Sequence, residues 1–265
     1  MSDSRPAAPI SAAPLDWSAQ AAVLFDLDGV VTPTAEVHMR AWSVMFNDFL
    51  ALPDAPGGGD RSPYEADDYF AHVDGKPRYD GVRDFLASRG IVLPEGSADD
   101  DGEALTVHGL GNRKDSAFNE VLERDGVEAY PGSVALLDHL ADLGTPLAVV
   151  SSSRNAAAVL EAAGLTDRFV TVVSGAVAEE LGLPGKPAPD TFVHAAQVLG
   201  APVERAVVLE DAVSGVRAGA AGGFAVVVGV DRGVGADALT AAGATLVVGD
   251  LAELVPARPG AAEVQ

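Results

Sequence analysis

The chain reads as an α/β protein: a parallel sheet wound with helices and interrupted by a mostly helical insert. Two patterns predict this. From Pro131 onward, short apolar runs alternate with helical segments, the rhythm of a parallel sheet with crossover helices. Near the start, in Ala21-Ala22-Val23-Leu24-Phe25-Asp26-Leu27-Asp28-Gly29, apolar residues run straight into a carboxylate. A strand covered on both faces has that composition, and open parallel sheets bind ligands beyond the carboxyl ends of their strands.

Taken in order, residues 1–18 are rich in Ala, Pro and Ser and lack a basic segment followed by an apolar one. They read as a disordered leader rather than a signal peptide. Residues 19–34 open the sheet domain, which resumes over 129–256, and 257–265 read as a tail. Within 35–50, Val37, Ala41, Val44, Met45 and Leu50 recur near helical spacing, and the stretch 53–59 breaks the pattern. Further helices are expected over 64–73, 81–88 and 112–124, with an acidic, mobile loop over 94–103. No strand pattern lies between Thr34 and Ala129, so 35–128 reads as a helical domain.

Beyond it, 147–150 is a strand ending at Ser151, and 156–163 is a helix stopped by Gly164. Residues 169–173 form a strand and 191–199 a helix, and the strand 206–209 ends at Glu210-Asp211. A helix over 213–221 and strands over 225–228 and 245–248 complete the sheet. Gly215, Gly219, Gly222 and Gly223 lie on or after a helix and do not match a dinucleotide-binding spacing, so they read as helix packing and a C-cap.

The formal net charge is −22, which argues against nucleic acid or an anionic membrane as partner. No apolar run approaches a membrane span. There are no cysteines, which excludes disulfides and makes a cytoplasmic setting the natural expectation. Only three lysines occur, Lys76, Lys114 and Lys186, in a background that prefers arginine. Each is thus a candidate for a role that needs a compact point charge.

Four polar groups fall at strand ends or in the loops beyond: Asp26 with Asp28, Ser151 with its neighbours, Lys186, and Glu210 with Asp211. Each alone has a bland reading as a cap, turn or solvated surface. In a parallel sheet, however, all four meet along one edge. Two carboxylates as close as Asp26 and Asp28 cannot ionise independently, which suits one that attacks and one that moves a proton. Asp26, Glu210 and Asp211 make a hard, oxygen-rich set suited to Mg2+. Lys186 supplies the ammonium that an attacking carboxylate needs beside a phosphate, and Ser151 with nearby backbone N–H groups supplies a cradle.

The ordered motifs FDLDGV, VVSSS, KPAPD and LEDA resemble those of the haloacid dehalogenase (HAD) superfamily, across about residues 20–255. The stretch DLDGVVTPTAEVHMRAW is similar to its β-phosphoglucomutase-like subgroup. That resemblance implies a Rossmann-like core with an inserted helical cap. It implies Asp26 as phosphorylated nucleophile, Asp28 as general acid/base, and Ser151 and Lys186 as holders of the transferring phosphate. Asp26, the Asp28 carbonyl, Glu210 and Asp211 would organise magnesium. Thr34, His38 and Trp42 would lie at the hinge and cap entrance, although His38 and Trp42 also suit a buried core. Gly75, Lys76 and Arg78 would hold the far phosphate, Lys114 would face the site from the cap, and Ser152, Ser153, Arg154 and Asn155 would contact sugar and phosphate. Three departures touch the substrate more than the chemistry: Pro33 where an acidic residue is usual, Arg154 where lysine is common, and an extra stretch over 91–108.

The implied activity is phosphomutase chemistry on a small sugar phosphate, β-glucose 1-phosphate to glucose 6-phosphate through a bisphosphate, by a monomer. The alternative is a phosphatase acting on a similar monoester, since the core motifs serve both. Carbon–halogen hydrolysis would need neither Asp28 nor the Glu210-Asp211 pair. A catalytically inactive fold would not be expected to fill every position.

Overall fold

A computed structural model describes residues 15–54 and 56–256. Six parallel strands form one sheet: β1 (Ala22–Phe25), β2 (Leu147–Val150), β3 (Thr171–Val173), β4 (Ala206–Glu210), β5 (Val226–Val230) and β6 (Leu246–Val248). Their spatial order is β3-β2-β1-β4-β5-β6. Leu24 pairs with Ala148 on one side and Val208 on the other, so β1 is central. Between β1 and β4 the strand order reverses direction, and such a switch point leaves a crevice beyond the strand ends.

Burial on both faces explains the unbroken apolar runs. Val23 and Phe25 point into a core completed by α5 (Pro131–Asp142), α6 (Ala156–Ala162) and the turn Leu251–Leu254. Ala22 and Leu24 point the other way, against α8 (Asp190–Val198), α9 (Val213–Ala221) and α10 (Ala236–Ala242). Glycines in α9 permit the contact: a Cβ at Gly219 would lie 3.1 Å from Val227 and 3.2 Å from Val208.

Between β1 and α5 the chain is helical. It runs through α1 (Thr34–Leu50), one turn of α2 (Ala66–Asp68), a π-helical turn Tyr69–Val73, α3 (Arg78–Ser88) and α4 (Val107–Asp125). Trp42, Phe46, Phe49, Tyr64, Phe85 and Leu110 build a separate core here. We refer to this helical body as the cap and to the sheet with its helices as the core. A short helix, α7 (Gly175–Glu180), starts at a Ser174 cap after β3.

Several sequence expectations need correction. Residues 1–14 and 257–265 of the expected leader and tail lie outside the described residues. Residues 15–18 are not part of a loose leader: Trp17 is buried, and its indole Nε1 donates to Leu254 O at 2.9 Å. Aromatic burial outweighs the Pro- and Ala-rich context. The strand expected over 169–173 starts only at Thr171, because Thr166–Arg168 closes a 3-10 turn. The acidic loop over 94–103 is tied down rather than loose: Asn112 Nδ2 donates to Ala98 O and Asp100 O, and Arg83 pairs with Glu95. Helices α7 and α10 were not foreseen, being too short to show a period.

Candidate active site

Asp26 follows the last residue of β1, and its backbone N–H donates to Leu209 O of β4 at 2.9 Å. The sheet ladder therefore aims its carboxylate into the crevice. Lys186 reaches the same point from the loop before α8. Its Nζ donates to Asp26 Oδ1 at 2.5 Å, Glu210 Oε1 at 2.6 Å and Val150 O at 2.9 Å. Burial opposes the ammonium, but the charges of Asp26 and Glu210 outweigh it and hold the Lys186 pKa above the ordinary lysine range. Burial pushes the Asp26 carboxyl up, with Glu210 and Asp28 adding to it and Lys186 opposing.

Asp28 differs from Asp26 in its surroundings. Thr34 Oγ1 donates to its Oδ1 at 2.5 Å and Ser151 Oγ to its Oδ2 at 3.2 Å, while His38 Nε2 lies 3.3 Å from Oδ1. Burial works to raise its pKa, but His38, the Thr34 hydrogen bond and Lys114 bring it to about 2. His38 Nδ1 in turn meets Lys114 Nζ, and the ring stacks on Phe118 at 4.1 Å. Both contacts are satisfied by a neutral imidazole whose Nε2–H faces Asp28 and whose Nδ1 accepts from Lys114. That assignment agrees with His38, whose pKa is lowered by burial and by Lys114. Lys114 lies over the Trp42 ring at 5.3 Å, and burial lowers its pKa to about 7.

Three carboxylates, Asp26, Glu210 and Asp211, offer oxygens all within 4.8 Å of one another. Glycines make the room: a Cβ at Gly29 would lie 1.8 Å from Asp211 Oδ2, and one at Gly215 would lie 1.6 Å from Glu210 Oε1. Packing against a carboxylate is thus a second use of Gly215 besides helix packing. Burial pushes the Asp211 pKa well up, and Asp74, Glu210 and Asp26 push it further. A buried acidic set short of positive charge, with oxygen donors only, fits a hard divalent cation.

The cap closes over this edge. Arg78, first residue of α3, pairs with Asp115 Oδ1 at 2.6 Å, and Asn155 Nδ2 of the core donates to the same oxygen at 2.8 Å. Gly75 carries φ +68° and its carbonyl accepts from Ser152 Oγ at 2.7 Å. One cavity of about 70 Å³ is lined by Asp26, Asp28, His38, Lys114, Arg78 and Glu210 among others.

The structure thus brings Asp26, Asp28, Thr34, His38, Trp42, Lys114, Ser151, Lys186, Glu210 and Asp211 into one site. Gly75, Lys76, Arg78, Ser152, Ser153 and Arg154 line the same cavity, and Lys76 and Arg154, like Arg78, also carry ion pairs. Lys76 Nζ pairs with Asp84 at 2.6 Å, and Arg154 pairs with Glu179 on the surface. Ser153 N donates to Ser151 Oγ at 3.1 Å, closing the serine loop on itself.

Sequence reasoning missed Asp74, Tyr69, Asp115 and Ser214. Asp74 abuts the quoted Gly75-Lys76 pair, so its position was available. Its carboxyl is pushed up to about 7 by burial and by Glu210, with Tyr69 as hydrogen-bond partner. Asp115 abuts Lys114 and joins Arg78 within the cap and Asn155 across its boundary, while nothing in the sequence marks Ser214, whose hydrogen bond to Asp74 O crosses that boundary.

A parallel core with this strand order, a carboxylate at the switch point and a helical body inserted after β1 define a family. The chain belongs to the haloacid dehalogenase superfamily: the sequence model of the haloacid dehalogenase-like hydrolases matches residues 20–223. It is an enzyme of the β-phosphoglucomutase-like subgroup. It is 50% identical over 239 residues to a β-phosphoglucomutase of Mycobacterium bovis, covering 88% of this chain and 91% of that one. It is 31% identical over 206 residues to hexitol phosphatase A of Escherichia coli, covering 77% and 80%. Among solved structures, a HAD-family hydrolase of Deinococcus radiodurans with bound phosphate and sodium is 29% identical. That match has a TM-score of 0.61 and covers 89% of this chain and 94% of that one. No described helix is long and apolar enough to cross a membrane.

Proposed function

We propose that the enzyme is a magnesium-dependent phosphomutase that converts β-glucose 1-phosphate to glucose 6-phosphate through a bisphosphate. The observation that carries phosphoryl transfer is the contrast between Asp26 and Asp28. One carboxylate is gripped by a buried ammonium at the strand end. The other is held by hydroxyls and a histidine on the cap side, two residues on. With Asp26 carrying the phosphoryl group, the ionised Asp28 first removes the proton of the accepting sugar hydroxyl as that oxygen bonds to phosphorus and the bond to Asp26 breaks. When Asp26 then attacks the other phosphate of the bisphosphate, Asp28 returns that proton to the departing sugar oxygen. Lys186 offsets the repulsion between carboxylate and phosphate, and Ser151 Oγ lies beside the same point. A magnesium ion held by Asp26, Glu210 and Asp211 would neutralise phosphate charge.

The mutase reading rests on Arg78, the guanidinium that the cap presents beside the cavity, and on the mycobacterial relative. Arg78 is the residue able to hold the phosphate that is not reacting, with Lys114 as the nearer cap charge. A phosphatase acting on a sugar phosphate is the second reading. It is favoured by the Arg78–Asp115 pair, which already occupies part of that guanidinium, and by the likeness to hexitol phosphatase A.

One assay separates them. The enzyme is given β-glucose 1-phosphate, magnesium and a trace of glucose 1,6-bisphosphate, and glucose 6-phosphate is scored against free phosphate. Glucose 6-phosphate in large excess supports the mutase. Stoichiometric free phosphate with no isomer refutes it in favour of the phosphatase.

A further inference from the structure

Two core hydroxyls hold consecutive carbonyls of the cap. Ser152 Oγ donates to Gly75 O at 2.7 Å, and Ser214 Oγ donates to Asp74 O at 2.9 Å. The serines come from different places, one in the loop after β2 and one in the first turn of α9. Gly75 fits between them without slack: a Cβ there would lie 2.3 Å from Ser214 Oγ and 2.8 Å from Ala212 Cβ. Three residues further along the same loop stands Arg78, so whatever fixes Gly75 also sets how far that guanidinium reaches over the core. Neither hydroxyl is directed at Asp26 or at the carboxylate triad. Both are spent on the cap backbone.

We propose that Ser152 and Ser214 are positioning residues, a two-point latch that holds the 74–78 loop against the core and keeps water from Asp26. The consequence for partition rests on the phosphoryl-transfer reading above. With the latch closed, a sugar hydroxyl attacks the aspartyl-phosphate: its oxygen bonds to phosphorus, the bond to Asp26 breaks, and its proton passes to Asp28. With the latch open, water takes the place of the hydroxyl, the same bonds form and break, and inorganic phosphate leaves. Acceptor choice is then set by loop position and not by the catalytic carboxylates, which are common to both routes.

The absence of cysteine makes the test direct. Spin labels are placed on exposed cap and core positions through Ala87→Cys and Ala162→Cys. Their separation is measured by double electron–electron resonance with magnesium and inorganic phosphate present. With both serines intact, one short, narrow distance distribution is expected. Ser152→Ala with Ser214→Ala should lengthen and broaden it. Gly75→Ala, which keeps both hydroxyls, should reach the same open state by steric conflict and by strain at φ +68°. Melting temperatures check that each variant is folded. In turnover, the double variant should raise the ratio of hydrolysis to isomerisation about tenfold. Its KM for the sugar phosphate should rise more than its kcat falls. An unchanged distance in the double variant overturns the latch, as does a pair of intact serines giving the long distance. If the distances respond as expected but no variant isomerises sugar phosphate, the latch stands and the mutase reading falls.

Discussion

Lys186 and Asp26 form one buried unit: the ammonium lies 2.5 Å from the aspartate Oδ1 while also bonding Glu210 and the Val150 carbonyl. A single lysine thus joins the end of β1 to the end of β4 at the switch point of the sheet. The slot is shaped for a point charge. Its side chain is 1% exposed, and its three acceptors come from three different segments.

Lys186→Arg should therefore fail almost as badly as Lys186→Ala. A planar fork cannot meet three converging acceptors in that space. We expect kcat to fall about a hundredfold or more in both, by analogy with the loss of one preorganised charge-stabilising donor. Arginine restoring more than a tenth of the activity would show that only charge matters.

Asp26→Asn should abolish turnover with the fold retained. The amide is isosteric, and Lys186 keeps Glu210 and Val150 O as partners. An amide cannot form the acyl phosphate. Trapping of a phosphorylated wild-type protein, absent in the variant, checks the step directly; substantial residual activity would remove Asp26 as nucleophile.

Chelation should silence the enzyme, and magnesium should restore it. Asp26, Glu210 and Asp211 crowd three buried carboxyls within 4.8 Å, and an anionic substrate adds to their repulsion. Full activity after exhaustive chelation would sink the metal assignment.

Arg78→Ala should depress isomerisation far more than hydrolysis of acetyl phosphate. Losing one charge-assisted contact costs about 1.5–3 kcal/mol, roughly ten- to a hundredfold in rate. Acetyl phosphate has no second phosphate for the cap to hold. Equal losses in both assays would assign Arg78 to cap integrity through its Asp115 pair, and no loss in either would make the phosphatase the first choice.

Lys114→Met should stabilise the protein while weakening catalysis. Burial lowers the Lys114 pKa from 10.5 to about 7. Between those values the unfolded chain holds a proton that the folded one has released, so stability rises with pH across the window. Below it, the lysine opposes folding by an amount on the order of a few kcal/mol, since one pH unit of displacement corresponds to about 1.4 kcal/mol. Urea melts at pH 6 to 10 should show a higher midpoint for the variant at the acid end and a flatter profile. A lower midpoint at pH 7 would contradict the burial cost.

The sequence by itself determined the sheet, the approximate helices and the catalytic edge. Strands buried on both faces must be apolar throughout, so β1, β2 and β4 stand out locally, and a carboxylate or serine ending such a run is conspicuous. Asp26, Ser151 and Glu210 were legible for that reason, and the scarcity of lysine exposed Lys186. The Trp17 turn, α7 and α10 were not legible. A 3-10 turn or a helix of two turns leaves too little periodicity, and the burial of Trp17 depends on Leu254, 237 residues away. Only the tertiary structure decided which polar groups serve each other across the cap boundary. Lys76 and Arg154 carry the same charge as Lys186, yet they line the cavity while paired with Asp84 and Glu179, whereas Lys186 is buried against Asp26 and Glu210. Ser214 looks ordinary along the chain and meets the Asp74 carbonyl only because the cap folds back onto α9. Burial and partner choice are properties of three-dimensional proximity, and they separate a buried charge such as Lys186 from the more exposed ones at the cavity rim.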